Sequence, residues 1–314
     1  MPVAPAQPYP DFDPVAAYPV MGRVRNALVV QDWAAVRALV DAAPESAART
    51  MLIRFAATVP DTERFLRDVL DRDPDDSVAG AMLGGRLIDA GWAVRTRAMA
   101  EHVSAGQFRV FHEHLRRAEQ ILITAAARNP ADVAVWCERL ISARGLGLGI
   151  SEVRRRYDRL AAHDPHHLPA QSQLLQSLCP KWDGTWEQVH AFARERMLAA
   201  PKGANNAVLV VTGHLERALG DDESHLATPF ARDEVHEAAA RSVLDPDFRH
   251  DYGWVGVRNS FAMAFSLMGD NREAAAQFNA LDRFASKDPW EYLGNPAEAF
   301  VRRRARAYAI AGAR

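Results

Sequence analysis

The residues whose types could carry chemistry are the histidines, the two cysteines, a glycine run and a lysine set among tryptophans. His163-Asp164-Pro165-His166-His167 gathers zinc-binding residue types. His102, His112 and His114, with Glu113, echo the metal helix of a zinc protease. Neither spacing suits a site. A helical metal site wants ligands at i and i+4 on one face plus a remote third ligand, whereas the first cluster straddles a proline turn and His112 and His114 stand two apart. Solvated loop histidines are the reading, with no metal and no cofactor expected. Gly145, Gly147 and Gly149 follow a helical stretch instead of a strand and lack the Lys-Ser/Thr pair of a phosphate loop, so they read as a turn. Cys137 and Cys179 each lie in an apolar helical stretch and read as buried thiols in a reducing compartment. No serine stands in a strand-turn-helix setting, so no catalytic residue is expected.

The segment Lys181-Trp182-Asp183-Gly184-Thr185-Trp186 is the candidate for recognition. A cation beside two large aromatics in a turn suits an acidic or peptidic ligand, and Lys181 is one of only three lysines beside Lys202 and Lys287. The alternative is that Trp182 and Trp186 fill a gap between helical units as core. Trp254, Trp290 and Tyr292 pose the same pair of readings. The runs Arg154-Arg155-Arg156 and Arg302-Arg303-Arg304, with Arg306, read as solvated faces partly offset by Glu152, Asp158 and Glu298.

The elements that must position these residues are helices. Amphipathic runs close on Asp73-Pro74, Asn129-Pro130, Asp164-Pro165 and Asp245-Pro246, each followed by another helical run, with further stops at Pro44, Pro201 and Pro289. Apolar residues make up 48% of the 314 and charged residues 25%, enough apolar chain for a folded helical protein. The formal charge of −2 supplies no field to draw nucleic acid or an anionic membrane. No apolar run approaches the roughly 20 residues that span a bilayer, and the proline-rich first 19 residues lack the n- and h-regions of a signal peptide. The predominance of arginine over lysine fits a GC-rich bacterial genome, and a cytoplasmic protein is expected. Residues 1–19 read as an extended arm whose Tyr9, Phe12 and Tyr18 dock on the first helices, and residues 20–314 as one domain closed by a capping helix over about 295–313 with Ala299, Phe300, Ala307 and Ile310 inward.

Ala118, Leu122 and Ala125 stand where a small, a large and a small residue precede a closing proline, and Pro165 follows Pro130 by 35 residues. Phe261, Ala262, Phe265, Gly269-Asp270, Ala274, Phe278 and Leu281 repeat the pattern. These residues resemble the tetratricopeptide-repeat superfamily, whose nominal period is 34 residues. The runs Leu178–Glu195 and Asp288–Ala307 are similar to segments of uncharacterised bacterial tetratricopeptide-like proteins. The resemblance implies an all-α, right-handed helical-hairpin solenoid of degenerate repeats. It supplies no catalytic residue, and of the carboxylate-clamp pattern of peptide-binding members only Asn259 remains. A non-enzymatic scaffold is expected, holding a peptide or protein partner in a concave groove, without nucleic acid or membrane, as a monomer. The alternative is a small-ligand protein or enzyme with a pocket near the Trp182/Trp186 turn and the Trp290-Tyr292 segment.

Overall fold

The computed structural model describes residues 8–96 and 102–312; the first seven residues of the expected arm lie outside them. Among the described residues the chain is helical throughout, and its only strand-like pairing is an isolated bridge between Asp11 and Phe284. None of the described helices is long and apolar enough to cross a membrane. The chain divides into two compact units, Val20–Thr185 and Trp186–Arg314 with Met1–Pro19, where the sequence suggests a single array after the arm.

In chain order, α1 (Pro14–Ala17) is a single turn. The first unit contains α2 (Pro19–Val29, from Val20 on), α3 (Trp33–Asp41), α4 (Ser46–Ala57), α5 (Glu63–Arg72), α6 (Ser77–Arg95), α7 (Ala105–Arg128), α8 (Val133–Gly145), α9 (Ile150–Ala161) and α10 (Leu168–Ser177). The proline punctuation is a stop and start in one device. Asp73 and Asn129 end α5 and α7, and three residues later Asp76 and Asp132 cap α6 and α8 by accepting from Val78 and Ala79, and from Ala134. His167 does the same for α10 through Ala170. Ser104 and Gln107 form a reciprocal capping box on α7. Helices α6 and α7 pack closely because α6 lacks side chains at the contact: a Cβ on Gly84 would stand 2.6 Å from Leu122. Ala118, Leu122 and Ala125 are buried, as are Val24 and Leu28, while Val29, expected in the same stripe, is 67% exposed.

Helix α4 packs on α6, α8 and α10. A polar seam fixes it there. Arg49 makes two bonds to Asp132 at 2.8 and 3.0 Å, Arg54 two to Glu138 at 2.9 Å, Thr50 meets His167 at 2.9 Å, and Ser46 bonds Asp164. Glu138 is fully buried, and burial pushes its carboxyl above the ordinary value against the pull of Arg54. The face that α4 would offer to a groove in this unit is therefore covered by the unit's own helices.

The second unit contains α11 (Trp186–Ala199), α12 (Val208–Gly220), α13 (Pro229–Arg241), α14 (Trp254–Met268), α15 (Asn271–Leu281), α16 (Lys287–Trp290) and α17 (Pro296–Gly312). Gly269 ends α14 at φ +81°, the left-handed residue the sequence required between α14 and α15. Phe261, Phe265, Phe278, Trp290 and Phe300 form its largest buried side chains. Contrary to expectation, the arm docks on late segments. Asp11 takes the Ala285 N–H and gives its own to Arg283, Phe12 stands edge-on to Phe300, and Tyr18 stacks on Tyr252 at 5.2 Å. Tyr9 stays 75% exposed. In α17, Ala299, Phe300 and Ala307 are buried as expected, whereas Ile310 is exposed.

Candidate metal centre

Three histidines that the sequence reading passed over meet in the second unit. His190 lies on α11, His214 on α12 and His225 on the single 3-10 turn His225–Ala227 that leads into α13. Sequence dictates the meeting. Gly213 lets α12 approach α11 closely, since a Cβ there would stand 2.9 Å from Val189 and 3.8 Å from Nδ1 of His190. Thr228 then caps α13 by accepting from Ala231 and ties back to the His225 carbonyl, which holds the turn against α12.

One nitrogen of each ring lies within 4.8 Å of the others, and these residues form the one such three-residue group of histidine, cysteine or acidic side chains among the described residues. Ring centroids are 4.5 Å apart for His190 and His214 and 5.0 Å for His214 and His225. Nδ1 of His214 is 2.8 Å from Nε2 of His225, and Nε2 of His214 is 3.0 Å from Glu234 on α13. The carboxylate assigns the tautomer: Nε2–H of His214 donates to Glu234, and Nδ1 presents its lone pair to the cluster. Both ring nitrogens of His190 are buried without a hydrogen-bond partner. Phe230 stands edge-on to His190 and His214 at 5.7 and 5.6 Å.

Burial, then the neighbouring His225 and Arg217, hold His190 down to about 4; burial, then His190, His225 and Arg217, hold His214 down to about 3. His225 is lowered by burial and Arg217. Burial raises the Glu234 carboxyl against the pull of Arg194. At neutral pH the three rings are thus uncharged, the state in which imidazole binds metal. Tetrahedral zinc–nitrogen bonds of about 2.0–2.1 Å set ligand nitrogens roughly 3.3 Å apart. The 2.8 Å between His214 and His225 and the 4.8 Å limit for the three nitrogens lie on either side of that spacing.

The expected sites fall elsewhere. In the 163–167 cluster, His163 and His166 are exposed, while His167 is buried with Nδ1 accepting from Ala170 and Nε2 bonded to Thr50, which corrects its reading as a solvated loop residue. His114 spends Nδ1 on the Val110 carbonyl of its own helix. Gly147 and Gly149 take φ of +63° and +85° in the turn between α8 and α9. Cys137 and Cys179 form no disulfide and are buried, and burial pushes the Cys137 thiol up to about 12. The arginine runs are not solvated faces throughout. Arg156 is buried on Glu119 and Glu152, and Arg304 is buried and donates to the Pro8 carbonyl.

Of the recognition candidates, Asn259 and Trp290 are fully buried and joined by a 2.7 Å bond from the indole N–H, with Asn259 also donating to Val255. They hold α16 on α14 and present no surface. Trp254 is buried and stacks on His250 at 4.2 Å. Tyr292 is 46% exposed and donates to Glu216. In the first unit, Lys181 is exposed, and Trp182 is half-buried between an edge contact with Trp92 and the Arg144 guanidinium 5.7 Å over its ring. In the second, Trp186 opens α11 and its N–H donates to Asp221. Compared with known proteins, the chain matches no family model, no curated protein and no solved structure.

Proposed function

We propose that this protein binds one divalent transition metal ion, zinc being the first choice, through His190, His214 and His225, and that the ion staples α11, α12 and the turn into α13. The observation that carries the reading is His190: on this half-buried ring both nitrogens are shut off from solvent and unpartnered, which costs folding free energy unless something bonds to them, and two further imidazoles stand beside it. All-imidazole donors suit zinc, copper and nickel. Glu234 behind His214 is the outer-shell carboxylate such ligands use.

The role proposed is binding and not catalysis. The hairpins that carry the centre are read as degenerate tetratricopeptide-like repeats, a reading supported by the burial of Ala118, Leu122 and Ala125 in one unit and of Phe261, Ala262, Phe265, Ala274, Phe278 and Leu281 in the other. A peptide-binding groove is the lesser reading, because α4 is covered by its own neighbours and Asn259 and Trp290 are interior.

The test is metal content after dialysis of the full chain against excess zinc and then metal-free buffer. About one equivalent is expected for the wild type and a small fraction of that for a His190→Ala, His214→Ala double variant of matching circular dichroism. Wild-type protein that retains no zinc would refute the reading.

A further inference from the structure

The histidine centre is closed to the ion it is read to hold. Both ring nitrogens of His190 are shut off from solvent, and His214 and His225 are buried. A metal site needs an entry path. Some side chain must therefore stand aside before an ion can exchange its water for imidazole.

The side chains bordering the rings differ in how firmly they are held. Val189 is fully buried against Gly213 and belongs to the packing of α11 on α12. Glu234 is bonded to His214 and paired with Arg194. Trp186, one turn before His190 with its ring 6.5 Å away, is tied by its N–H to Asp221 at 3.0 Å. Phe230, the second residue of α13, is neither interior nor tied. It is 52% exposed, yet its ring meets those of His190 and His214 edge-on, at 84° and 73°. A phenyl ring makes no conventional hydrogen bond, so swinging it outward breaks none.

Resting on the metal reading, we propose that Phe230 is the gate of the centre: turned in, it seals the imidazoles from water, and turned out about χ1, it opens the path by which the ion enters and leaves. A gate that closes over the empty and the loaded centre alike slows entry and exit by the same factor and leaves the affinity where it was. Packing acts otherwise. A ring that only steadied the ligands would hold the ion in, so its loss would raise the release rate alone.

The test is stopped-flow on the full chain, with loading read by mixing metal-free protein with zinc and a chelating dye, and release by mixing zinc-loaded protein with excess dye. Phe230→Ala should raise both rates about tenfold, as for an open state populated roughly one part in ten, while the Kd moves by less than about threefold. Phe230→Leu, which keeps much of the bulk, should fall between. If Phe230→Ala does not fold, Phe230→Leu carries the comparison, with a smaller rise in both rates. Rates equal to wild type, or faster release with loading unchanged, overturn the gate and leave the metal reading standing. Wild type that takes up no zinc overturns both.

Discussion

Two regions, one in each unit, bury polar groups in opposite ways. Along α4 in the first unit, Arg49, Arg54, Thr50 and Ser46 each meet a carboxylate or an imidazole of α8, the turn before α8 or the turn before α10. In the second unit the half-buried His190 has both ring nitrogens shut off from solvent without a hydrogen-bond partner. Burying a polar group costs free energy unless it is bonded, so a complete set of partners marks a seam whose work is structural. An incomplete set at ligand spacing marks a place where a partner from outside completes the bonding. Residue type does not separate the two cases, since His167 and His214 are both fully buried histidines; only their surroundings do.

Removing one partner from each region tests the contrast most strongly. Arg54→Ala strands the buried Glu138 and should lower stability by about 3–5 kcal/mol in chemical denaturation, whereas His190→Ala in metal-free protein should cost less than about 1 kcal/mol because it breaks no bond. Equal losses would erase the distinction. Zinc free at one hundred times its dissociation constant should stabilise wild type by about 2.7 kcal/mol, seen as a raised Tm that chelation reverses and His214→Ala abolishes. The seam variant Arg54→Ala, where it folds, should keep that zinc response.

A graded loss should follow acidification of the metal-free protein. His190 and His214 titrate in the native state near 4 and 3 but near 6.5 when unfolded. Below 6.5 the unfolded chain binds more protons, so their contribution is intact above that pH and is lost as pH falls toward 4 and 3. Unfolding midpoints measured from pH 7 to 4 should fall, and less steeply in a His190→Ala, His214→Ala variant. Glu234→Gln weakens the tautomer control on His214 and should reduce zinc affinity 10- to 100-fold, read by competition with a chelating dye, with little change in metal-free Tm. The smallest effect is at the turn singled out by sequence: Lys181→Ala should change stability by under about 0.5 kcal/mol and leave zinc affinity unaltered.

The helical architecture was legible because it rests on local rules. Asp73-Pro74 followed by Asp76, and Asn129-Pro130 followed by Asp132, are stop and cap signals read within four residues, and Gly269 marks its turn by the conformation it must adopt. The histidine centre was not legible, because its members stand 24 and 11 residues apart on two helices and a turn, and their distance depends on how α11 packs on α12. The one local sign was Gly213-His214 in α12, a close-packing residue beside a titratable one. The charged loop over 221–228 supplies His225. The tryptophan-rich segments left the core and recognition readings open in sequence for a related reason. Trp290 and Asn259 satisfy each other across 31 residues, so an aromatic that looks available in sequence is interior in the fold.

X-ray absorption of the zinc-loaded full chain tests the central claim most directly, since it reads the donors and their distances. The account predicts nitrogen and oxygen donors only, at about 2.0–2.1 Å, with the scattering signature of three imidazoles that falls in His190→Ala. Sulfur at about 2.3 Å, which would implicate Cys137 or Cys179, or a shell without imidazole, would contradict it.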